Sequence, residues 1–223
     1  MMDIEEWKRL AGEEAAKLVK DGMVVGLGTG STIKYTIEKI GEMGLKIKGV
    51  PTSKATERLA KKVGIKLIQP NDVSNIDIDI DGADQVGPEH DLIKGGGGAL
   101  TREKVVAAMA KRVVVVVDET KVVPYFSFPI AVEVLEFNLN GAKRSLEKLG
   151  ANVSVRMRDA KREKMFRTDN GNRILDAKFG SLKEPEWMEK RINNIPGVIE
   201  NGIFPNRYVS DVIVGGRKGV WKL

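Results

Sequence analysis

The chain has 223 residues, with 37 Lys or Arg against 31 Asp or Glu, and a formal net charge of +6. That length suits one large domain or two modest ones, and a hydrophobic content of 42% lies near the globular norm. The absence of cysteine excludes disulfides, thiol catalysis and thiolate metal sites. The charged opening, MMDIEEWKRLAGEEAAKLVKDG, has no signal-peptide core and no window nears membrane-spanning length, so a cytoplasmic protein with no membrane partner is expected.

Ile4, Trp7, Leu10, Ala11, Leu18 and Val19 recur at helical spacing, which predicts a helix over 3–20 stopped by Gly22. Met23–Leu27 reads as a buried strand, Gly28–Thr32 as a glycine turn and 33–43 as a helix. A glycine turn at a helix start points backbone N–H groups at a phosphate, and Ser31 and Thr32 add hydroxyl donors. An ordinary helix cap is the other reading. The dinucleotide fingerprint fails because Ser31 stands where its third glycine belongs, and Pro51-Thr52-Ser53 follows the strand over 46–50 where the ribose-binding acid is needed. A Walker A loop fails because Gly30 precedes Ser31 directly. A small phosphate ligand is favoured.

A helix over 54–63 and a short strand over 66–68 come next. Ile76, Ile78 and Ile80 then alternate with Asp77, Asp79 and Asp81, which predicts a strand with one apolar face. Asp77 and Asp79 read as its solvated face. A calcium loop is rejected because Pro88 occupies the position of the bidentate glutamate. Asp81 and Asp84 fall at the end of a strand in an expected parallel sheet, where ligands of open α/β sheets bind. His90, the sole histidine, reads as a solvated loop residue, and without histidine or cysteine in the main motifs a hydrolytic triad is not expected.

Lys94 and the glycines Gly95 to Gly98 lead into a predicted helix over 101–110 with Thr101 as N-cap. Glu103 falls in its first turn, where the helix dipole favours an ionised carboxylate able to accept a proton. Acids, an ammonium and a glycine-rich backbone are what a site needs to move a proton and hold an oxyanion. Val113–Val117 reads as a strand buried on both faces. Lys121, just beyond it at the same sheet edge, is either solvated or in contact with an anionic ligand.

Beyond residue 127 the pattern changes to a strand over 129–134, a helix over 140–149 and a strand over 151–156. A hairpin joins 165–168 to 173–177 through an Asn-Gly turn, and a helix over 184–193 and a strand over 197–204 complete the run. That order predicts a ferredoxin-like α+β domain over 128–205. Residues 1–127 and 206–223 then form an α/β catalytic domain with an open, mostly parallel Rossmann-like sheet and helices on both faces, which the strand over 208–214 rejoins. Between Lys143 and Arg173 stand ten Lys or Arg against four Asp or Glu, equal to the whole net charge. With no RNP1-like aromatic pattern, this basic stretch reads as surface or subunit contact, and no nucleic-acid partner is expected.

Taken together and in order, GLGTGST, DGADQV, KGGGGALTREK, VVVVDETK, TDNGNRILD and PGVIENGIF resemble the ribose-5-phosphate isomerase family of type A over nearly the whole chain. The resemblance implies an aldose-ketose isomerase that interconverts D-ribose 5-phosphate and D-ribulose 5-phosphate through a cis-enediolate, in the non-oxidative pentose phosphate pathway, with no metal or organic cofactor. Glu103 is similar to the family base that shuttles a proton between C2 and C1. Asp81 and Asp84 are similar to the acids that assist ring opening and hydroxyl proton transfer, and Lys94 to the cation facing the enediolate oxygen. Thr29, Gly30, Ser31, Thr32, Asp81, Gly82, Ala83, Asp84, Lys94, Gly95, Gly96, Gly97 and Lys121 are similar to its substrate-binding segments. A homodimer or homotetramer is implied, with the small domain as a contact surface. Two other readings remain: a non-catalytic sugar-phosphate sensor, which usually carries a DNA-binding unit not expected here, and an isomerase for a related sugar phosphate, since loops and not the fold select the sugar.

Overall fold

The computed structural model describes residues 3–159, 164–180 and 182–223. In chain order it contains α1 (Ile4–Ala16), β1 (Val24–Leu27), α2 (Ser31–Glu42), β2 (Lys48–Pro51), α3 (Lys54–Lys62), β3 (Lys66–Leu67) and β4 (Ile78–Asp81). Next come β5 (Gln85–Val86), β6 (Leu92–Ile93), α4 (Leu100–Met109), β7 (Val113–Asp118), β8 (Ile130–Val134), α5 (Leu139–Lys148) and β9 (Asn152–Val155). The chain closes with β10 (Arg173–Lys178), α6 (Pro185–Asn193), β11 (Val198–Asn201), β12 (Ile203–Phe204), β13 (Asp211–Gly216) and β14 (Gly219–Lys222). One compact unit gathers the chain up to Ala83, Arg102–Val122 and Arg207–Leu223, and a second gathers Asp84–Thr101 and Val123–Asn206. No helix among the described residues is long and apolar enough to cross a membrane.

The first unit is built on a seven-stranded sheet in the order β14-β13-β7-β4-β1-β2-β3. Its neighbours run parallel except in the β13–β14 hairpin. The strand order reverses between β1 and β4, so their C-terminal ends flank a topological switch point, where open α/β sheets take their ligands. Val25, Leu27, Ile78, Ile80, Val114 and Val116 turn one face of the sheet toward Ala11 and Ala15 of α1 and Ile33, Ile37 and Ile40 of α2. On the other face Val50 and Ile76 meet Val106 of α4. Burying each such aliphatic side chain contributes roughly 1.5–3 kcal/mol. Helix α1 stops at Ala16, short of the expected 20, although Val19 beyond it is still buried.

Because both faces of β4 are covered, the expected solvated face of this strand does not exist. Residues Ile78–Asp81 are buried throughout, and Asp79 is 1% exposed. Asp77, just before the strand, accepts the Val24 N–H at 2.9 Å and the Lys111 ammonium at 2.8 Å. Room for two carboxylates inside the sheet comes from β1 and the residue after it. A Cβ on Gly26 would run into the carboxylate of Asp79, and one on Gly28 into that of Asp81.

The second unit holds a four-stranded sheet in the order β11-β8-β10-β9, antiparallel throughout. With α5 after β8 and α6 after β10, this is the ferredoxin-like arrangement. Its core joins Val132, Val134, Leu175 and Ala177 to Leu146 of α5 and Ile192 of α6. The expected hairpin is differently paired, because β8 and β9 occupy both edges of β10. The segment before the Asn-Gly turn pairs back on the end of β9 instead, through Phe166 N–H to Arg156 C=O at 2.9 Å. A three-stranded sheet, β12-β6-β5, belongs to the same unit. Its pairing is why residues 84–101 group with 123–206, whereas the expected domain limits had left them with the α/β domain.

Candidate active site

In the first unit the end of β1 passes into α2 through Gly28, Thr29 and Gly30. Gly30 caps α2 with φ 146°, a conformation that favours glycine, and supplies no side-chain cap bond. The first N–H groups of a 12-residue helix therefore face outward with Ser31, which is exposed, while Thr32 is buried. Such a helix start suits an anion in both geometry and dipole. Asp81 closes β4 beside it. Its Oδ1 accepts the Thr29 N–H at 3.0 Å and the Gly82 N–H at 2.7 Å. Asp118 ends β7 at the same edge and caps the turn Glu119–Lys121, which carries Lys121. Glu103 lies in the first turn of α4 and is 4% exposed.

The Thr29 side chain is engaged inside the unit. Its hydroxyl donates to Ser53 Oγ at 2.8 Å, Ser53 donates to Thr56 Oγ1 at 3.0 Å, and Thr56 donates to Gly28 C=O at 2.8 Å. Thr52 joins this relay through its hydroxyl, 2.8 Å from that of Thr29, and donates to Leu27 C=O at 3.1 Å. Sequence reasoning noted Thr52 and Ser53 only as replacing a ribose-binding acid. The available signal was Ser53-x-x-Thr56 directly after a strand, since Ser53 is the N-cap of α3 and accepts the Thr56 N–H.

In the second unit Asp84 follows the first motif acid by three residues, and its N–H donates to Ile93 C=O at 2.8 Å. Its Oδ2 accepts the Gly96 N–H at 2.7 Å. Gly98 N–H turns back to Gly95 C=O at 2.9 Å, so the glycine run is a wound turn. Gly95 and Gly98 take φ of 95° and 79°, and a Cβ on Gly95 would stand 2.9 Å from Ala131 Cβ. Lys94 is 4% exposed, with its backbone N–H on Gly202 C=O at 2.8 Å and its ammonium 5.3 Å from the Phe204 ring centre. The aromatic face suits a cation held out of water. Sequence reasoning did not single out Gly202 or Phe204.

Thr101 is not the N-cap of α4, which begins at Leu100. Its hydroxyl donates to Glu133, a fully buried acid of β8 that also accepts from Thr168 Oγ1 and Asn172 Nδ2, each at 2.8 Å. The TDNGN motif thus satisfies a buried carboxylate. His90 sits in the turn from Gly87 with φ 63°. Among the described residues no group of three or more His, Asp or Glu is arranged to hold a metal ion. Of the basic stretch, residues 160–163 lie outside the described residues. Of the stretch expected as surface or subunit contact, Arg156 and Arg173 have side chains only 13% and 15% exposed and are paired to Asp176 and Glu136.

Comparison with known proteins supplies the remaining context. Residues 48–219 match the family model of ribose 5-phosphate isomerase A (phosphoriboisomerase A). The ribose-5-phosphate isomerase A of Bacillus mycoides is 43% identical over 96% of this chain and 97% of its own. That of Thermomicrobium roseum is 45% identical over 98% and 94%. The solved ribose 5-phosphate isomerase A of Methanocaldococcus jannaschii superposes with a TM-score of 0.93 at 44% identity, covering 99% of both chains. A D-ribose-5-phosphate isomerase in complex with phospho-erythronic acid superposes at 0.95 and 43% identity, covering 100% of this chain and 99% of that one.

Proposed function

The chain belongs to the ribose 5-phosphate isomerase A family, and from that premise we propose that it interconverts D-ribose 5-phosphate and D-ribulose 5-phosphate through a cis-enediolate. The observation that carries the reading is the fixed carboxylate of Asp81 beside the open start of α2 at the switch point of the parallel sheet. That pairing joins an acid for the sugar hydroxyls to an anion site for its phosphate.

The proton on C2 of the open-chain aldose is only weakly acidic, and its removal leaves charge on the carbonyl oxygen. Glu103 takes this proton from C2 and returns it to C1. Its burial spares the carboxylate a shell of bulk water that would have to be shed. The Lys94 ammonium and the N–H groups of Gly95 and Gly97 stabilise the developing oxyanion, a preorganised electrostatic role, while the Gly96 N–H holds Asp84. Net isomerisation also moves a proton from the C2 hydroxyl to O1, a transfer assigned with ring opening to Asp81 and Asp84, next to the Gly82-Ala83 backbone. Gly30, Ser31, Thr32 and Lys121 hold the phosphate, Thr29 braces their loop, and binding there positions the sugar.

The protein acts as a cytoplasmic homodimer or homotetramer, without nucleic acid or membrane. The exposed side chains of Phe137, Trp187 and Leu135 in the second unit supply apolar area for self-association. To test the function, the protein is incubated with ribose 5-phosphate in the presence of a chelator and ketose formation is followed. Steady production of ribulose 5-phosphate at an undiminished rate is expected. No ketose would defeat the isomerase reading, and a chelator-sensitive rate would defeat charge stabilisation by Lys94 and the loop alone.

A further inference from the structure

Arg156 lies in the basic stretch read from sequence as surface or subunit contact, yet its guanidinium makes four hydrogen bonds inside the second unit. Asp176 stands opposite Ser154 in the β9–β10 register, so Arg156, two residues further on, falls on the same face. Nε donates to Asp176 Oδ2 at 3.0 Å and Nη2 to Oδ1, the bidentate geometry that holds a guanidinium plane most firmly. Nη1 is left to point at the glycine turn, where it donates to Gly95 C=O at 2.7 Å and to Gly96 C=O at 3.1 Å. The Phe166 ring, its centre 5.9 Å from the guanidinium carbon, lines the same side chain.

These two carbonyls are the handles of two peptide planes. Every peptide bond among the described residues is trans, and a trans peptide carries its C=O and its N–H on opposite sides. Holding the Gly95 carbonyl therefore aims the Gly96 N–H away from Arg156, and this is the N–H that Asp84 accepts at 2.7 Å. Holding the Gly96 carbonyl aims the Gly97 N–H away in the same manner, in the exposed part of the turn. Glycines have no side chains to fix these planes and rotate more freely than any other residue; within the turn only the Gly98 N–H bonds the Gly95 carbonyl, and Arg156 adds a hold on both carbonyls from outside it.

We infer that Arg156 is a positioning residue for the isomerisation: backed by Asp176, it fixes the peptide planes that steady Asp84 and present the Gly97 N–H. The inference rests on the function proposed above. It differs from a purely structural role in what it changes. The oxyanion is absent from the bound sugar and develops only in the transition states and the enediolate between them, so a slackened turn costs turnover and spares ground-state binding through the phosphate.

The test compares the wild-type protein with Arg156→Lys, which keeps the charge and loses the fork, and with Arg156→Ala. Circular dichroism confirms folding; kcat and KM for ribose 5-phosphate and inhibition by inorganic phosphate are then measured. Both variants are expected to lose roughly 10- to 100-fold in kcat, with KM within about threefold of wild type and inorganic phosphate inhibiting as before. Free guanidinium ion added to Arg156→Ala restores part of kcat. Wild-type kcat in the folded variants, or a loss carried wholly by KM, overturns the inference and leaves the function intact. A wild-type protein that forms no ketose overturns the function itself.

Discussion

A missing methyl group at Gly28 decides whether Asp81 can sit where β4 ends. A Cβ there would lie 2.6 Å from Asp81 Cα and overlap its carboxylate. Gly28→Ala is therefore expected to lower melting stability by about 1–3 kcal/mol and to cut isomerase turnover at least tenfold, read by thermal unfolding and a ketose assay. The hydroxyl relay makes a milder claim. Thr56→Val removes the donor to Gly28 C=O and should raise KM for ribose 5-phosphate several-fold while costing about 1–3 kcal/mol of stability, with Thr56→Ser restoring both. Equal KM in Thr56→Val would show that the relay does not support the phosphate loop. Asp81, Asp84, Lys94 and Glu103 stand out in the sequence as candidates because they crowd into one short motif of acids and glycines. Arg156 does not, because 61 residues separate it from Gly95 and only the register of β9 on β10 aligns its side chain with Asp176.

Most of the longer elements were readable, while of the two-residue strands only β3 was anticipated as an element of its own. In α1 the expected spacing holds for Trp7 and Ala11 on the buried face, whereas Ile4 is exposed and Leu18 and Val19 lie beyond the helix, and the valine run of β7 is buried at every position. The strands β5, β6 and β12 have two residues each, too few to show an alternation, and β14 is a half-exposed edge strand. In β4 the alternation was real and its meaning differed. Asp79 and Asp81 are buried beside Gly26 and Gly28 and do not face water, a substitution of surroundings that spacing cannot reveal. At the head of this strand, the hydrogen bond from Lys111, with help from the Val24 N–H, lowers the Asp77 pKa below the ordinary 3.8. A depressed acid contributes stability that is present above its unfolded pKa and lost as pH falls through the folded one. Thermal unfolding between neutral pH and pH 3 should therefore show a steeper acid-side loss for the native protein than for Asp77→Asn. Identical slopes would mean that the Lys111 pair contributes nothing across this window.

Across the whole molecule the chain passes between its two compact units after Ala83, Thr101, Val122 and Asn206. The first two crossings fall within the motif from Asp81 to Glu103, so a short stretch supplies acids to both units. Asp81 and Glu103 belong to the first, and Asp84 and Lys94 to the second. The sequence order of strands and helices sufficed to anticipate both sheets, since a parallel sheet needs crossover helices and an antiparallel one does not. The grouping of residues 84–101 with the second sheet depended on two-residue pairings with β12 and stayed out of reach. The proposed role of Glu103 as the base that carries the proton is open to direct measurement. Ribose 5-phosphate is converted in D₂O by the wild-type protein and by Glu103→Gln, with deuterium at C1 of the ketose followed by NMR. The account predicts deuterium in the wild-type product, as proton transfer through a solvent-exchanging carboxylate requires, and at least a 100-fold loss of turnover in Glu103→Gln with inorganic phosphate binding retained. A wild-type ketose free of deuterium together with near-normal turnover in Glu103→Gln would contradict it.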